Sequence, residues 1–182
     1  MSTGYQIYDQ TKTYYLTFQI VGWVDLFTRK VYRDIVINSL DYCRIEKGLE
    51  ILAYVIMTNH IHIILSSKNE NLSETIRDFK SYTAKQMLEI IKTKTESRSE
   101  WMLEIFSKEA KKRKRKSEFQ VWTHENHAIE ITSQKFLKQK MVYIHLNPVR
   151  TGLVEKAEDW LYSSQRNYSR LEAKLDIDLV DV

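Results

Sequence analysis

Residues 51–67 (ILAYVIMTNHIHIILSS) constrain the fold more than any other part of the chain. Two apolar runs, each long enough for a β-strand, are separated by the short polar break Thr58-Asn59. This pattern predicts two adjacent strands joined as a hairpin. The second run begins with His60 and His62, and residues two apart on a strand point to the same face of a sheet. The sequence therefore predicts two imidazole groups side by side on one sheet face.

Two histidines at this spacing have two interpretations. Imidazole is the commonest side-chain metal ligand, and a rigid sheet holds two such groups in a fixed relation. Alternatively, one histidine is a hydrogen-bonded core residue and the other faces solvent. The apolar residues that follow, Ile63, Ile64 and Leu65, predict a buried central strand but are compatible with both interpretations.

The segments before the hairpin predict a strand and a helix. Aromatic and β-branched residues dominate residues 14–23, which predicts a strand. Thr28 is a candidate N-cap for a helix that runs to about Lys47, with apolar residues at helical spacing. Gly48 stands where a left-handed residue would end that helix.

The segments after the hairpin complete a ferredoxin-like order. A helix is predicted over residues 73–92, and residues 119–122 are the best candidate for the last strand, with residues 129–131 a further extended segment. Strand, helix, strand, strand, helix and strand form an α+β fold, a ferredoxin-like antiparallel sheet with helices packed on it.

The C-terminal third predicts more helix. A third helix is expected over residues 97–110, and Thr132 or Ser133 caps a fourth that ends near Asn147, because a residue before proline is disfavoured in the α region. Residues 148–182, with Trp160, Tyr162, Arg166 and Tyr168, predict a helical extension. Because no Gly- or Pro-rich linker interrupts the chain, we expect one domain over residues 1–182, with its core at about 14–147.

The charge of the chain indicates a class of partner, and its cysteine content limits the covalent cross-links it can form. The net charge is +4 and the sequence pI is about 9.0, and the run KKRKRK occupies residues 111–116. Clustered basic residues predict a nucleic-acid partner, although such a run is also typical of a solvated surface loop. The single Cys43 excludes an internal disulfide. The basic residues expected to contact phosphate are Arg77, Lys80, Lys85, Lys111, Lys112, Arg113, Lys114, Arg115, Lys116, Arg150 and Arg166.

The sequence carries no sign of a membrane or secretory protein. Its N-terminus lacks a basic segment leading into an apolar run, and no stretch approaches the roughly 18 apolar residues of a spanning helix. We therefore expect a cytoplasmic protein without a membrane partner.

Three segments together resemble a known family. They are NHIHIIL at residues 59–65, YIHLNPVR at 143–150 and DWLYSSQRNY at 159–168. In this order they resemble the REP-associated tyrosine transposases, which belong to the single-tyrosine HUH endonucleases and are transposase-like proteins of bacterial insertion sequences. The resemblance covers roughly residues 14–168 and implies a ferredoxin-like sheet. Thr58 departs from the proline of many relatives, and the basic segment 108–116 is longer than in the shortest members.

The resemblance also implies a site. By position, Tyr143 corresponds to the family's nucleophile, and His60, His62 and Asn147 to its metal ligands. The implied activity is cleavage and joining of single-stranded hairpin or palindromic-repeat DNA through a 5′-phosphotyrosine intermediate, with Mg²⁺ or Mn²⁺. Imidazole ligands alone favour manganese over magnesium. His127 is a further candidate, either beside a metal ligand or as a DNA contact.

Other interpretations stay open at this point. A replication-initiator or relaxase-like nickase would share the chemistry, and a domesticated protein could bind DNA repeats without cutting. Tyr82, Tyr162 and Tyr168 are rival nucleophiles, but none has an asparagine four positions later. A monomer and a homodimer are both compatible with the resemblance, and in a dimer the tyrosine could face the histidines of another copy.

Overall fold

The protein folds around one antiparallel sheet. The computed structural model describes residues 6–93, 95–113 and 117–181. Its sheet has the spatial order β2-β3-β1-β4 and carries helices between its strands, which is the ferredoxin-like arrangement. The predicted fold class is confirmed. The elements are β1 (Tyr14–Gln19), α1 (Lys30–Lys47), β2 (Leu49–Ile56), β3 (His60–Ser67), α2 (Leu72–Ile91), α3 (Ser99–Lys112), β4 (Ile129–Glu130), α4 (Gln134–Arg150) and α5 (Gln165–Tyr168).

The two faces of the sheet are covered by different helices. On one face, Leu16 and Phe18 of β1 join a core cluster with residues of α1, α2 and α3. On the other face, Tyr15 and Ile64 pack with apolar residues of α4, and we call this the α4 face. His62 lies opposite Thr17 of β1 and Val55 of β2. Val55 and Ile64 pack on the α4 face, so His62 lies on the α4 face as well.

The hairpin at residues 51–67 forms as predicted. β2 and β3 flank Thr58 and Asn59, and the Met57 amide donates to the His60 carbonyl at 2.9 Å. Neighbouring segments fix the turn, because the amides of Phe27 and Ile20 donate to the carbonyls of Thr58 and Asn59. A register shift in β2 between Ile51 and Ala53 turns both Leu52 and Ala53 to the α4 face.

The ends of α1 illustrate one correct and one wrong expectation. Gly48 adopts φ +67°, and a Cβ there would meet the Asn69 amide nitrogen at 2.7 Å, so the predicted left-handed cap is confirmed. Thr28 does not cap α1. Its hydroxyl donates to the Asp25 carbonyl in a preceding 3₁₀ turn, and the helix begins after Arg29.

The first strand also ends earlier than predicted, at Gln19, because a turn with Gly22 at φ +65° follows.

The last strand is not where the sequence placed it. Residues 119–122 contribute one isolated bridge, Ile20 to Trp122, whereas β4 pairs with β1 at Tyr14 and Tyr15. Two backbone hydrogen bonds flank this bridge, from Val21 N to Val121 O and from Thr123 N to Gln19 O, each at 2.8 Å. The Trp122 indole packs between Phe18, Phe27 and Phe79. Aromatic content suited to a strand is therefore used for core filling.

The fourth helix continues through Pro148 to Arg150, three residues beyond the predicted end. The hydrogen bonds after the proline explain this. Leu153 N donates to Pro148 O at 2.9 Å and Gly152 N to Val149 O at 3.0 Å, with Gly152 at φ +73°. This Schellman closure stabilises the last turn and outweighs the single hydrogen bond that proline removes. The predicted cap Ser133 is confirmed, since its hydroxyl accepts from Phe136 N.

The C-terminal extension is mostly irregular rather than helical. α5 is a single turn, and the rest of residues 151–181 contains one 3₁₀ turn, Ala157–Asp159. The extension covers the outer edge of β2: Ile56 N donates to Tyr162 O, and Ser164 N to Tyr54 O, each at 2.9 Å. An exposed strand edge invites pairing with other chains, so this segment protects the sheet.

Within the described residues, no helix combines the length and apolar content that crossing a bilayer requires.

A buried carboxylate ties the α2–α3 connection to the segment before α1. Glu96 accepts hydrogen bonds from Arg98 at 3.1 Å and from the Tyr32 hydroxyl at 2.7 Å, and it forms an ion pair with Arg29 at 3.2 Å. Its side chain is 1% exposed. Burial alone would raise the pKa of Glu96, but the hydrogen bonds from Arg98 and Tyr32 outweigh burial and lower that pKa to about 2.

We expect Glu96→Gln to destabilise the protein at neutral pH by on the order of 3 kcal/mol. A carboxyl whose pKa is lowered on folding stabilises the folded state above its unfolded pKa, near 4.5, and loses this effect as pH falls through about 2. The difference between Glu96→Gln and wild type in urea unfolding should therefore shrink between pH 4.5 and 2. Glu104→Gln, which removes an exposed ion pair with Lys108, is the control. A constant difference across this pH range would contradict the prediction.

Candidate active site

The two histidines of β3 form the centre of the site. The His60 and His62 rings lie on the same sheet face with centroids 4.6 Å apart and planes at 72°. His60 is half-buried at the start of the strand, and His62 is buried. The alternation of β3 and its pairing with β1 place them there.

The orientation of His60 is fixed through Asn59. The Asn59 amide nitrogen donates to the Trp23 carbonyl at 3.3 Å and to Asp25 Oδ1 at 3.1 Å. Its amide oxygen therefore faces His60 Nδ1 at 2.7 Å and accepts a hydrogen bond from it. This assigns the proton of neutral His60 to Nδ1 and leaves the Nε2 lone pair free to bind a ligand.

His62 is also held through its Nδ1 atom, by two side chains of β1. The Tyr15 hydroxyl lies 2.8 Å and the Thr17 hydroxyl 3.0 Å from His62 Nδ1. The Tyr15 ring also stacks on His62, with centroids 5.6 Å apart. In both histidines, therefore, Nδ1 is engaged with protein groups, which leaves Nε2 as the nitrogen available to a ligand.

Both histidines are neutral near pH 7. Burial, with smaller contributions from the neighbouring His60 and Lys140, lowers the pKa of His62 to about 3. Burial also lowers the pKa of His60. Neutral imidazole is the form that coordinates a metal, so neither ring has to lose a second proton before it can bind one.

Tyr143 of α4 faces this pair within the same chain. Its ring centroid lies 5.2 Å from that of His62 and 6.3 Å from that of Tyr15. The side chain is 38% exposed, so one part packs on the site and another meets solvent. Lys140 Nζ lies 5.9 Å and Arg150 Cζ 5.6 Å from its ring centroid, which places two positive charges beside the phenol.

Asn147 lies one helical turn after Tyr143 and is buried. No group among residues 6–93, 95–113 and 117–181 hydrogen-bonds its side-chain amide. Nor do three His, Cys, Asp or Glu side chains gather into a metal site in this part of the chain. An ion at the histidine pair would therefore need further oxygen ligands, from the Asn147 amide, water or substrate.

The rival tyrosines lie elsewhere or are engaged. The Tyr162 hydroxyl donates to Asp34 at 2.8 Å, and the Tyr168 hydroxyl to the Leu52 carbonyl at 2.9 Å. Tyr82 is on α2, which covers the opposite face of the sheet. His145 is buried and bonds Ser164 at 2.8 Å through Nε2.

Several predicted phosphate contacts are committed to other groups. Arg166 donates to the carbonyls of Glu172 and Glu158, each at 2.7 Å, and so fastens the C-terminal extension. Arg77 pairs with two carboxylates, those of Glu74 and Asp78. These guanidinium groups would have to leave their partners to bind phosphate, and phosphate contact at Arg77 and Arg166 stays a prediction.

The other basic residues fall into three places. Lys80 and the exposed Lys85 line a groove of about 1190 Å³ between α2 and residues 119–128, away from the α4 face, and Lys80 Nζ donates to Thr123 O and Asn126 Oδ1. Lys111 and Lys112 end α3 rather than beginning a loop, and Arg113 pairs with Glu109 at 2.8 Å. Lys114, Arg115 and Lys116 lie outside the described residues. Arg150 is the predicted contact that stands beside Tyr143.

His127 lies in the segment beside β1 and has φ +45°. The carbonyl of the preceding Asn126 accepts from Thr17 N at 2.8 Å, so His127 follows a residue bonded to the strand that supports His62. Its predicted role beside a metal ligand or DNA stays a prediction.

Sequence reasoning missed the residues that support the histidines. Tyr15 and Thr17 could have been found by pairing the alternation of β1 with that of β3, since both strands were predicted. Asn59 directly precedes His60, but its role depends on Trp23 and Asp25, which are distant in sequence. Lys140 is one turn before Tyr143, and helical spacing does place both on one face of α4, although it assigns Lys140 no role.

Comparisons with known proteins identify the family of this chain and a structure of the same fold. A family model described as transposase IS200-like matches residues 23–146. No curated protein matches significantly. Among solved structures, a REP-associated tyrosine transposase bound to a REP hairpin has 20% sequence identity and a TM-score of 0.63, covering 100% of this chain and 95% of its own. That likeness shows the shared fold, and because the family model spans most of the sequence, this chain belongs to the IS200-like transposase family.

Proposed function

We propose that this protein cuts and rejoins single-stranded DNA that carries hairpins or palindromic repeats, with Tyr143 as its nucleophile and a divalent metal at the histidine pair. The observation that carries the proposal is the position of the Tyr143 ring, 5.2 Å from His62, on the same sheet face as His60. Packing alone would explain one such contact, but not two neutral histidines with free Nε2 atoms facing a half-exposed phenol.

The residues present fit a divalent cation. His60 and His62 would bind it through Nε2, and the unpartnered amide of Asn147 would supply an oxygen. Such a set accepts Mn²⁺ readily, and Mg²⁺ with additional water or substrate oxygens. When bound, the cation would polarise the scissile phosphate and stabilise the charge that develops on it.

Tyr143 would then attack the phosphorus through its hydroxyl oxygen. The new O–P bond forms as the bond between phosphorus and the 3′ oxygen breaks; the phenol proton passes to solvent and the departing 3′ oxygen takes one up. Lys140 and Arg150 lie beside the Tyr143 ring and would attract the negatively charged phosphate. The 5′-phosphotyrosine conserves the phosphodiester bond, so a second 3′-hydroxyl can reverse the step and join strands.

Membership of the transposase family and the REP hairpin bound by the structural relative support DNA of this kind as the substrate. A protein that only binds repeats would need neither the histidine pair nor the phenol beside it. A replication-initiator or relaxase-like nickase would use the same groups. Assays that measure strand cutting and strand joining separately distinguish such a nickase from a transposase.

The nucleophile is tested by Tyr143→Phe, which removes one hydroxyl and keeps the ring. With labelled single-stranded hairpin DNA and Mn²⁺, we expect the covalent protein–DNA adduct to disappear while hairpin affinity stays within about twofold, since the ring still packs on His62. Tyr82→Phe is the matched control and should retain the adduct.

The double variant His60→Ala, His62→Ala should also lose the adduct, through loss of the metal. An adduct in Tyr143→Phe would refute the assignment of the nucleophile. Wild type that binds the hairpin but forms no adduct with either metal would favour a binding protein instead.

Arg150→Gln tests the phosphate contact beside Tyr143. For single-stranded DNA, log affinity falls with log salt by about 0.7 for each phosphate neutralised, so removing this contact should lower the slope by about that amount. Arg77→Gln is the matched control, because its guanidinium is already paired with Glu74 and Asp78. Equal slopes for Arg150→Gln and wild type would exclude the contact.

Asn59→Ala tests the orientation of His60. Loss of a group that orients a ligating histidine typically lowers metal affinity by about 10- to 100-fold, and we expect the same for Mn²⁺ measured by calorimetry. In metal-free protein, ¹⁵N NMR should show His60 changing from the Nδ1-protonated tautomer to a mixture. Asn69→Ala, at the turn after β3, is the control. An unchanged tautomer would mean that Asn59 does not orient His60.

A further inference from the structure

Trp23 is a large aromatic side chain left in solvent at the edge of the candidate site. It is 63% exposed, and its ring centroid lies 6.4 Å from that of His60. Single exposed apolar residues are common, so exposure by itself means little. The position beside the histidine pair and the backbone conformation are the features that need an explanation.

The backbone of Trp23 has a conformation that a tryptophan rarely adopts. Its φ is +55°, in the left-handed region that disfavours residues with a Cβ, and a bulky residue there carries strain. Such strain persists where the surroundings over-determine it, and it is concentrated at functional sites. Glycine or asparagine would satisfy this turn with less strain, so the turn does not by itself call for an indole.

The surroundings fix the backbone and leave the ring free. Gly22 also has φ +65°, and Ile105 of α3 would stand 2.8 Å from a Cβ at Gly22, so α3 closes one side of the turn. The Trp23 amide donates to Ile20 O at 3.2 Å, and its carbonyl accepts from the Asn59 amide that orients His60. The turn is thus attached to the site through its main chain, while the indole projects beside His60.

We propose that Trp23 is a stacking platform for an unpaired nucleobase of the DNA strand that passes through the site. This rests on the proposed function, because the phosphate next to that base would be the one held at His60 and His62. Aromatic side chains bind single-stranded DNA in this way, since every base has a π-face, and stacking needs no particular sequence. An indole fixed by its main chain offers a large surface and loses little conformational freedom on binding.

The placement beside His60 also gives the stack a consequence for cleavage. A base held on Trp23 would set the position of the attached sugar and phosphate relative to Tyr143, on the other side of the histidine pair. The platform would therefore contribute to which phosphate is aligned for attack, as well as to affinity.

The experiment combines protein variants with DNA variants. Trp23→Gly removes the ring, suits a positive φ and keeps the carbonyl that binds Asn59. Trp23→Phe keeps an aromatic face. Affinities are measured with a fluorescent hairpin carrying a single-stranded flank, in a Tyr143→Phe background so that nothing is cut. A set of DNAs carries one abasic site each, moved stepwise along the flank.

We expect Trp23→Gly to bind intact DNA about tenfold more weakly and Trp23→Phe to retain most of the affinity. On the DNA that lacks one particular base, wild type should weaken by a similar factor, and the difference between wild type and Trp23→Gly should fall below about twofold. Tyr42→Ala, which removes a similarly exposed ring (57%) from α1, should leave affinity unchanged. Mn²⁺ affinity and the unfolding midpoint serve as checks that Trp23→Gly keeps the site and the fold.

Equal affinity of Trp23→Gly and wild type for intact DNA would overturn the platform. So would a loss that is the same on every abasic DNA, because it would then not depend on a base. If the platform behaves as expected but protein with Tyr143 restored forms no adduct, cleavage fails and base stacking stands. If wild type binds no hairpin at all, both proposals fall.

Discussion

The antiparallel pairing of β1 with β3 is the constraint on which the site depends. Its register sets Thr17 opposite His62 and Gln19 opposite His60. Because side chains alternate, a slip of one residue in β3 would carry both imidazoles from the α4 face to the other face, among the apolar residues of the main core. The buried residues on both faces make such a slip costly: Ile61 and Ile63 fill one core cluster, and Ile64 the other. The same apolar pattern that folds the sheet therefore also orients the histidines.

A series of hydrogen bonds between polar groups connects the buried Glu96 to His60. Glu96 holds Arg98, whose guanidinium donates to the Asp25 carbonyl at 3.0 Å. The Asp25 carboxylate accepts from Asn59, and Asn59 accepts from His60. The series starts at the buried Glu96 and ends at the half-buried His60, and each hydrogen bond restrains the orientation of the next group. The connection between α2 and α3 thus helps to orient a histidine on β3, although it lies far from it in sequence.

The parts of the fold that the sequence could predict are those that local pattern decides. The β2–β3 hairpin and the caps at Gly48 and Ser133 depend on neighbouring residues, and each was predicted. The last strand was misplaced because the Trp122 segment has the composition of a strand but pairs with the sheet through one bridge only, and its indole fills the core. The partners of Arg166 could not be predicted for a similar reason: they are carbonyls of a tail whose path is decided by tertiary contacts. For the site, motif spacing brought His60, His62 and Tyr143 forward, but not Tyr15 or Thr17, whose role exists only across strands.

The position of Tyr143 is the most indirect feature of the site, since α4 has to be held against the sheet for the phenol to meet His62. Leu137, Met141 and Ile144 pack on the α4 face and fix which side of the helix is buried. Farther along, His145 bonds Ser164, and the Ser164 hydroxyl also accepts from Tyr54 N of β2 at 2.9 Å. One serine of the C-terminal extension thus links the helix that carries the nucleophile to the edge of the sheet that carries the histidines. The extension therefore does more than cover a strand edge. By joining α4 to β2, it restrains the approach of Tyr143 to His62, on which attack at a bound phosphate would depend.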